Sequence, residues 1–246
     1  MTGAAALLTA IAALISSLAW PLAFVTVFIL FRSPIAAAAR RLPSLIDRMN
    51  KVKVGFLEAE LERTGAAAAA QPTDQAGEVT REQIRAAARI EVQAAEIGAQ
   101  PLLEQMRALC LEYERTRGAA PPGRDRTKML TEIIAKMRAL GPSLSGHIEE
   151  FKSSDLAGSR LAAVAIMQLK PEEADFPWLL ERFRTDQPFV FYQSALVLKN
   201  TSRSANSRIS AAAKATAEKA LDALMAYKGP PDEKTIAVLK SIVDYR

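Results

Sequence analysis

Few residues of the chain have side chains that could act in catalysis, and their spacing does not match a catalytic motif. Ser143, Ser145 and His147 lie in the segment Gly141-Pro-Ser-Leu-Ser-Gly-His147, which superficially has the form of a serine-hydrolase turn. That turn needs a glycine two residues after the nucleophile, and it joins a strand to a helix. Here Ser145 stands at the glycine position and both flanking patterns are helical. We therefore interpret the segment as a helix stop at Gly141 and Pro142 followed by a serine cap, with His147 on the helix surface.

Two acidic pairs and the single cysteine also have structural interpretations. Glu149-Glu150 and Glu172-Glu173 are neighbours along the chain, and adjacent helical residues do not face each other. Both pairs fall at predicted helix starts, where carboxylates complement the helix dipole. Cys110 falls in the apolar stripe of its helix, which favours a small buried hydrophobe over a reactive thiol.

The composition excludes several classes of enzyme. One histidine cannot supply the chemistry of His-Glu-x-x-His zinc hydrolases, and one cysteine cannot form an internal disulfide. The sequence contains no phosphate-binding glycine loop, dinucleotide fingerprint, kinase motif set or paired metal-ligand spacing. We therefore predict that the protein is not an enzyme and that it has no catalytic residue, cofactor or metal site.

The first structural element along the chain is an apolar N-terminal segment. Residues 2–31 carry no charge, and about 20 helical residues suffice to span a bilayer. A cleaved signal peptide is the alternative, but its basic start is missing and no clear cleavage site precedes Pro21. We predict an uncleaved transmembrane helix within residues 1–33.

The positive charge of the chain is concentrated next to this predicted anchor. Residues 32–54 hold six basic residues and one acidic residue, so they account for the whole formal net charge of +5. Anionic lipid headgroups and the positive-inside rule explain such a cluster without nucleic-acid binding. The rule predicts an inner-membrane protein with its N-terminus outside and its large C-terminal part cytoplasmic. The predicted membrane-surface residues are Arg32, Arg40, Arg41, Arg48, Lys51 and Lys53.

A basic amphipathic juxtamembrane segment over residues 34–61 follows the anchor, with a bend at Pro43. Its last part, residues 52–61, also alternates well enough to form a short strand. A lone strand is not stable, so an oligomer or a partner would have to supply its neighbours.

The N-terminal quarter of the chain carries one resemblance to known proteins. It contains Trp20-Pro21, an apolar run ending at Phe31-Arg32, a basic helix and then Lys53-Val-Gly-Phe-Leu-Glu58. This order resembles the anchor module of uncharacterised bacterial single-pass membrane proteins. The resemblance implies attachment to a membrane and implies no activity.

The rest of the chain has helical patterns. Residues 62–80 are rich in alanine and poor in core-forming groups, which predicts a flexible linker. Thr80, with Gln83 three residues later, begins a two-helix segment over residues 81–118. After a Gly/Pro break, residues 124–246 predict a helical domain of about seven short helices. The predicted fold class is all-α.

A weak internal repeat leaves two architectures open for this helical domain. Arg160–Ile166 and Tyr192–Leu198 place a small residue and then a large apolar one at equivalent positions, 32 residues apart. This pattern resembles HEAT or armadillo-type α-solenoid repeats, whose periods fall in this range. Two units are fewer than such stacks usually need, so an irregular helical bundle and a short solenoid-like stack both remain open.

The aromatic residues of the helical domain are concentrated in one short stretch. Core packing explains this clustering, and a partner-binding surface is the alternative. The candidate partner-binding residues are Phe176, Trp178, Phe183, Phe189, Phe191 and Tyr192.

Together these patterns predict a membrane-tethered, non-catalytic helical adaptor or scaffold that binds a protein partner at the cytoplasmic face. The alternative is a transmembrane effector that self-associates and perturbs the membrane when it senses a signal. The small residues of the anchor permit such self-association, and the sequence leaves homo-oligomer formation open.

Overall fold

The structure is a computed structural model that describes residues 20, 21, 24, 25, 55–71, 77–227, 229 and 232–244. Residues 20, 21, 24 and 25 are helical and exposed. The rest of the predicted anchor, residues 1–33, and all six predicted membrane-surface residues lie outside the described positions. No helix among the described residues combines the length and the apolar character needed to cross a membrane.

All regular structure in the described residues is helical, which confirms the predicted all-α class. The chain divides into two units, residues 1–53 and residues 54–246. In the second unit, α1 occupies residues 55–69, and short 3₁₀ helices occupy Gly141–His147 and Pro171–Glu173. The other helices are α2 (Arg81–Ile97), α3 (Ala99–Ala119), α4 (Arg124–Leu140), α5 (Ile148–Lys152), α6 (Ala157–Leu169), α7 (Phe176–Thr185), α8 (Pro188–Ser202), α9 (Ser207–Met225) and α10 (Glu233–Val243).

Side-chain caps and prolines fix several of these helix starts. The Thr80 hydroxyl accepts a hydrogen bond from the Gln83 amide at 3.2 Å, which confirms the predicted start of α2. Asp175 caps α7 through the Trp178 amide at 3.1 Å. Asp232 accepts a hydrogen bond from the Thr235 amide at 3.2 Å at the start of α10. These local signals determine where the helices begin, and packing determines which faces they bury.

The helices of the second unit share one hydrophobic core. Helix α4 packs against α2, α3 and α6, α6 packs against α8, and α8 packs against α9 and α10. Helix α7 packs against both α8 and α9. The predicted two-helix segment and the predicted helical domain are therefore parts of one packed body, because α2 and α3 both contact α4.

One glycine allows two of these helices to approach closely. Gly158 is buried in the first turn of α6. A Cβ atom at this position would lie 2.3 Å from the Cys110 carbonyl oxygen of α3. The Gly158 amide also donates a hydrogen bond to the Glu114 carboxylate at 2.7 Å. Any larger residue at position 158 would have to push α3 and α6 apart.

The structure differs from the prediction over residues 55–69. Residues 55–61 are helical, so the short strand considered for residues 52–61 does not form over these seven positions. The same helix continues to residue 69, where the sequence predicted a flexible linker. Residues 72–76 of that predicted linker lie outside the described chain.

The packing of α1 explains this difference. Its buried residues recur at helical intervals of four, three and four, so one face of the helix meets the core. Alanine is also the strongest helix former. A run of alanines is therefore compatible with a linker or with a helix until the surface that it packs against is known. The buried residues of α1 on this stripe are Leu57, Leu61, Thr64 and Ala68.

Candidate protein-binding groove

An open groove lies where the first turns of α4, α8 and α10 meet the C-terminal end of α1. We call it the α4–α8 groove; its volume is about 590 Å³. Its apolar lining comes from Ala68, Ala69, Leu130, Pro188, Phe189 and the ring of Tyr192.

The rim of the α4–α8 groove is mainly basic. It carries two acidic residues, Asp125 and Asp232, and Asp232 is already hydrogen bonded to the first turn of α10. Basic residues therefore outnumber acidic ones around the opening. The basic rim residues are Arg124, Arg126, Lys128 and Lys234.

The N-termini of α4 and α8, which have no side-chain cap, strengthen this positive character, whereas the Asp232 carboxylate already caps α10. The first turns of α4, α8 and α10 all line the groove, and each helix has the positive end of its dipole there. The start of α4 has no side-chain cap, because its N-cap residue is Gly123. Amide N–H groups in an uncapped first turn lack helical acceptors, so they are available to an external one. The groove therefore combines an apolar floor with an electropositive edge.

A buried arginine holds one wall of this groove in place. Arg138 is completely buried in the described structure, and burial lowers its pKa to about 9. It remains protonated at neutral pH, although its hydrogen-bond acceptors among the described residues are uncharged oxygens. It donates to Gln168 Oε1 at 2.5 Å, Gly77 O at 2.5 Å, Gln193 Oε1 at 2.8 Å, Gln83 Oε1 at 3.0 Å and Glu78 O at 3.4 Å.

These bonds join four parts of the fold. They connect α4 to α2, α6 and α8 and to the backbone that precedes α2. A Cβ atom on Gly77 would lie 3.0 Å from the ring of Tyr192, so the backbone that Arg138 holds lies directly beside that ring. Arg138 thus has a positioning role behind the Tyr192 wall of the groove.

The six aromatic residues predicted as a partner surface do not form one surface. Phe189 and Tyr192 are half-buried and line the groove. Phe183 and Phe191 are completely buried, and their rings stack in the core with centroids 6.1 Å apart. Core packing therefore accounts for these two residues, which have no surface to offer a partner.

Phe176 and Trp178 lie away from the groove lining. Both are half-buried on α7. The Trp178 indole donates a hydrogen bond to the Lys152 carbonyl at 3.3 Å, and the Arg182 guanidinium lies 4.5 Å from the Trp178 ring centroid. The Trp178 ring is therefore already held between neighbouring elements of the same chain.

Sequence reasoning missed the basic rim. Arg124, Arg126 and Lys128 alternate directly after the Gly/Pro break that ends at Gly123. This alternation was a usable signal, because the first turns of a helix that follows such a break are usually exposed. Lys234 comes from a distant part of the chain, so only the fold brings it to the same rim.

The residues considered for catalysis do not form a reactive site. The serine-containing segment is a 3₁₀ helix directly after α4, as expected for a helix stop. The predicted serine cap is wrong, because the N-cap residue of α5 is His147 and no side chain caps that helix. Burial raises the pKa of the Cys110 thiol to about 12, so this cysteine is a core residue rather than a nucleophile. Glu150 pairs with Arg107 at 2.5 Å, and Glu149 pairs with Lys152 at 2.7 Å in the first turns of α5. The described residues contain no group of three side chains able to hold a metal ion.

Comparisons with protein-family models, with curated proteins and with solved structures gave no match for this chain.

Proposed function

We propose that the protein is a membrane-tethered, non-catalytic helical adaptor whose α4–α8 groove binds an acidic, partly apolar segment of another protein. The groove supports this proposal because it pairs an apolar floor with a basic rim. Burial of apolar side chains on Phe189 and Tyr192 would supply most of the binding free energy. The basic rim and the N-termini of α4 and α8, which have no side-chain cap, would select carboxylates and fix the orientation of the bound segment.

The composition of the rim favours a peptide over a nucleic acid. A phosphate backbone is bound by an extended basic strip, whereas Asp125 and Asp232 interrupt this rim. The formal net charge of the whole chain is also accounted for by residues 32–54, which precede the groove-forming helices in the sequence. A short peptide with alternating acidic and apolar residues fits both the floor and the rim.

The tether in this proposal comes from the sequence. Residues 1–33 would anchor the chain in the inner membrane, and the adjacent basic residues would contact anionic headgroups from the cytoplasmic side. The successive packing of α4, α6, α8 and α10 supports a short solenoid-like stack for the helical body. Adaptors built this way hold a partner close to the bilayer without changing it chemically.

A displayed library of random peptides tests the proposed groove. The full chain in mild detergent should enrich peptides that contain both aspartate or glutamate and large apolar residues. An enriched peptide should bind an Arg124→Glu/Lys128→Glu variant at least about tenfold more weakly, because two attractive charges become repulsive.

An Arg203→Glu/Arg208→Glu variant provides the matched control. Both residues are exposed basic side chains outside the groove lining, and their reversal changes the net charge by the same amount. The control should bind the peptide as the wild-type chain does. Equal losses in both variants, or enriched peptides without acidic residues, would contradict the proposal.

A further inference from the structure

The backbone that precedes α2 lies directly beside a wall of the α4–α8 groove. Residues 77–80 are not helical, and we call them the strap. Gly77 has a φ of +94°, a conformation that favours glycine. A Cβ atom at this position would lie 3.0 Å from Tyr192 Cε1 and 2.9 Å from Gln193 Nε2. Tyr192 therefore contacts the strap and also lines the groove.

One nitrogen of Arg138 binds both sides of this contact. Its Nη2 donates to Gly77 O at 2.5 Å in the strap and to Gln193 Oε1 at 2.8 Å on α8. Gln193 directly follows Tyr192 in the chain, so the same nitrogen holds the strap and the turn of α8 that carries the groove ring. Arg138 Nη1 donates to Gln83 Oε1 at 3.0 Å, which extends the connection into the first turn of α2.

An ion pair joins the strap to α8 a second time. Lys199 Nζ lies 3.0 Å from the Glu78 carboxylate, and both side chains are partly exposed. Lys199 and Tyr192 are seven residues apart, so they lie on the same face of α8. The strap ends at Thr80, whose hydroxyl caps α2. The strap, the groove ring and the start of α2 are therefore joined by hydrogen bonds and one ion pair.

Two buried amide groups beside the strap lack acceptors. Gln83 Nε2 and Gln193 Nε2 are buried and have no hydrogen-bond partner among the described residues. A buried donor without an acceptor raises the free energy of the arrangement that contains it. Non-helical segments held by few contacts also open at a lower free energy than core helices do. The strap in its place therefore has a smaller free-energy advantage over a displaced strap than a fully paired network would give.

From these contacts we propose that the strap regulates the α4–α8 groove, an inference that rests on the proposed function of that groove. The strap holds the Tyr192 ring in the position that binds a ligand. A bound ligand packs on the ring and in turn stabilises the strap and the first turn of α2. The two effects are equal in free energy, because coupling between two sites is reciprocal. Changes that displace the strap therefore weaken binding in the groove.

Hydrogen exchange measured by mass spectrometry tests the coupling without a ligand, on the full chain in mild detergent. Tyr192→Ala should speed the exchange of amides in residues 77–84 at least about fivefold, because the strap loses the ring that it contacts. Phe189→Ala is the matched control, since Phe189 is also a half-buried ring of the groove, but it lies 6.2 Å from the ring of Tyr113 on α3. The control should change this exchange less than about twofold. Amides of α6 report global unfolding and should exchange as in the wild type.

Charge reversal tests the regulation with a peptide enriched on the groove. Lys199→Glu should raise the dissociation constant of the peptide about fivefold, because like charges at Glu78 displace the strap. Lys170→Glu is the matched control, since Lys170 pairs with Glu91 on α2 at 3.1 Å, outside the strap; it should change the constant less than about twofold. The double variant Lys199→Glu/Glu78→Lys should restore the constant to within about twofold of wild type. The peptide itself should slow the exchange of residues 77–84 in the wild-type chain.

The outcomes separate this inference from the proposed function. Equal exchange of the strap in Tyr192→Ala and Phe189→Ala would overturn the inference, whether or not a peptide binds. A peptide that binds equally well to Lys199→Glu and Lys170→Glu and leaves the strap exchange unchanged would also overturn it, while the proposed function stands. If no peptide is enriched, the proposed function fails, and the exchange comparison still decides whether the groove ring holds the strap.

Discussion

Replacing Arg138 by methionine removes a buried charge without leaving a large cavity. The guanidinium is completely buried, and within the described part of the chain it donates hydrogen bonds to uncharged oxygens. Methionine has similar length and no donor, so the substitution isolates the effect of these hydrogen bonds. We expect the variant to fold and to be less stable than the wild-type chain.

The magnitude follows from the acceptors that lose their donor. Gln193 Oε1 keeps a second hydrogen bond, from Gln168 Nε2 at 3.1 Å. The oxygens of Gly77, Gln83 and Gln168 lose the Arg138 bond and stay buried. At about 1 kcal/mol for each such oxygen, the free energy of unfolding should fall by about 3 kcal/mol. For a body of this size, the melting temperature should fall by about 6 to 12 °C.

Urea denaturation followed by far-ultraviolet circular dichroism measures this loss. Arg115→Met is the matched control, because Arg115 is exposed and, among the described residues, donates a hydrogen bond to the Leu111 carbonyl of its own helix at 3.3 Å. The control should change the free energy of unfolding by less than about 0.5 kcal/mol. A similarly small change for Arg138→Met would contradict this prediction, because it would mean that the buried arginine contributes no net stability.

Two further predictions concern packing and acid stability. Gly158→Ala should lower the free energy of unfolding by about 1 to 3 kcal/mol, because the added Cβ atom collides with the Cys110 carbonyl. The same urea denaturation measures this loss. An unchanged free energy of unfolding would contradict the close approach of α3 and α6. Burial raises the pKa of Glu60, but hydrogen bonds from Arg63 and Arg89 outweigh that effect and hold it below its ordinary value of 4.5. Ionised Glu60 therefore stabilises the fold above pH 4.5, and this contribution is lost as the pH falls through the lowered pKa. Thermal melts at falling pH should show a steeper loss for wild type than for Glu60→Gln, and parallel curves would contradict the assignment.

The sequence could not predict which of the clustered aromatic residues are buried and which line the groove. Phe183, Phe189, Phe191 and Tyr192 lie within ten residues, and all were candidates for a single surface. On α7 and α8, Phe183 and Phe191 are buried in the core, whereas Phe189 and Tyr192 line the groove. Neighbouring residues on a helix point in different directions, and only the packing of other helices decides which direction is inside.

The all-α class and several helix boundaries could be predicted from the sequence, including the start of α2 at Thr80 and the end of α4 at Gly141. Those features depend on residues within one helical turn of each other, so a local pattern is sufficient to predict them. The packing of the helices determines that α1 is a buried helix, that Arg138 is buried and that the basic rim forms. These features join residues far apart in the chain, and their free energies come from burial and dipole alignment that exist only after the helices have packed.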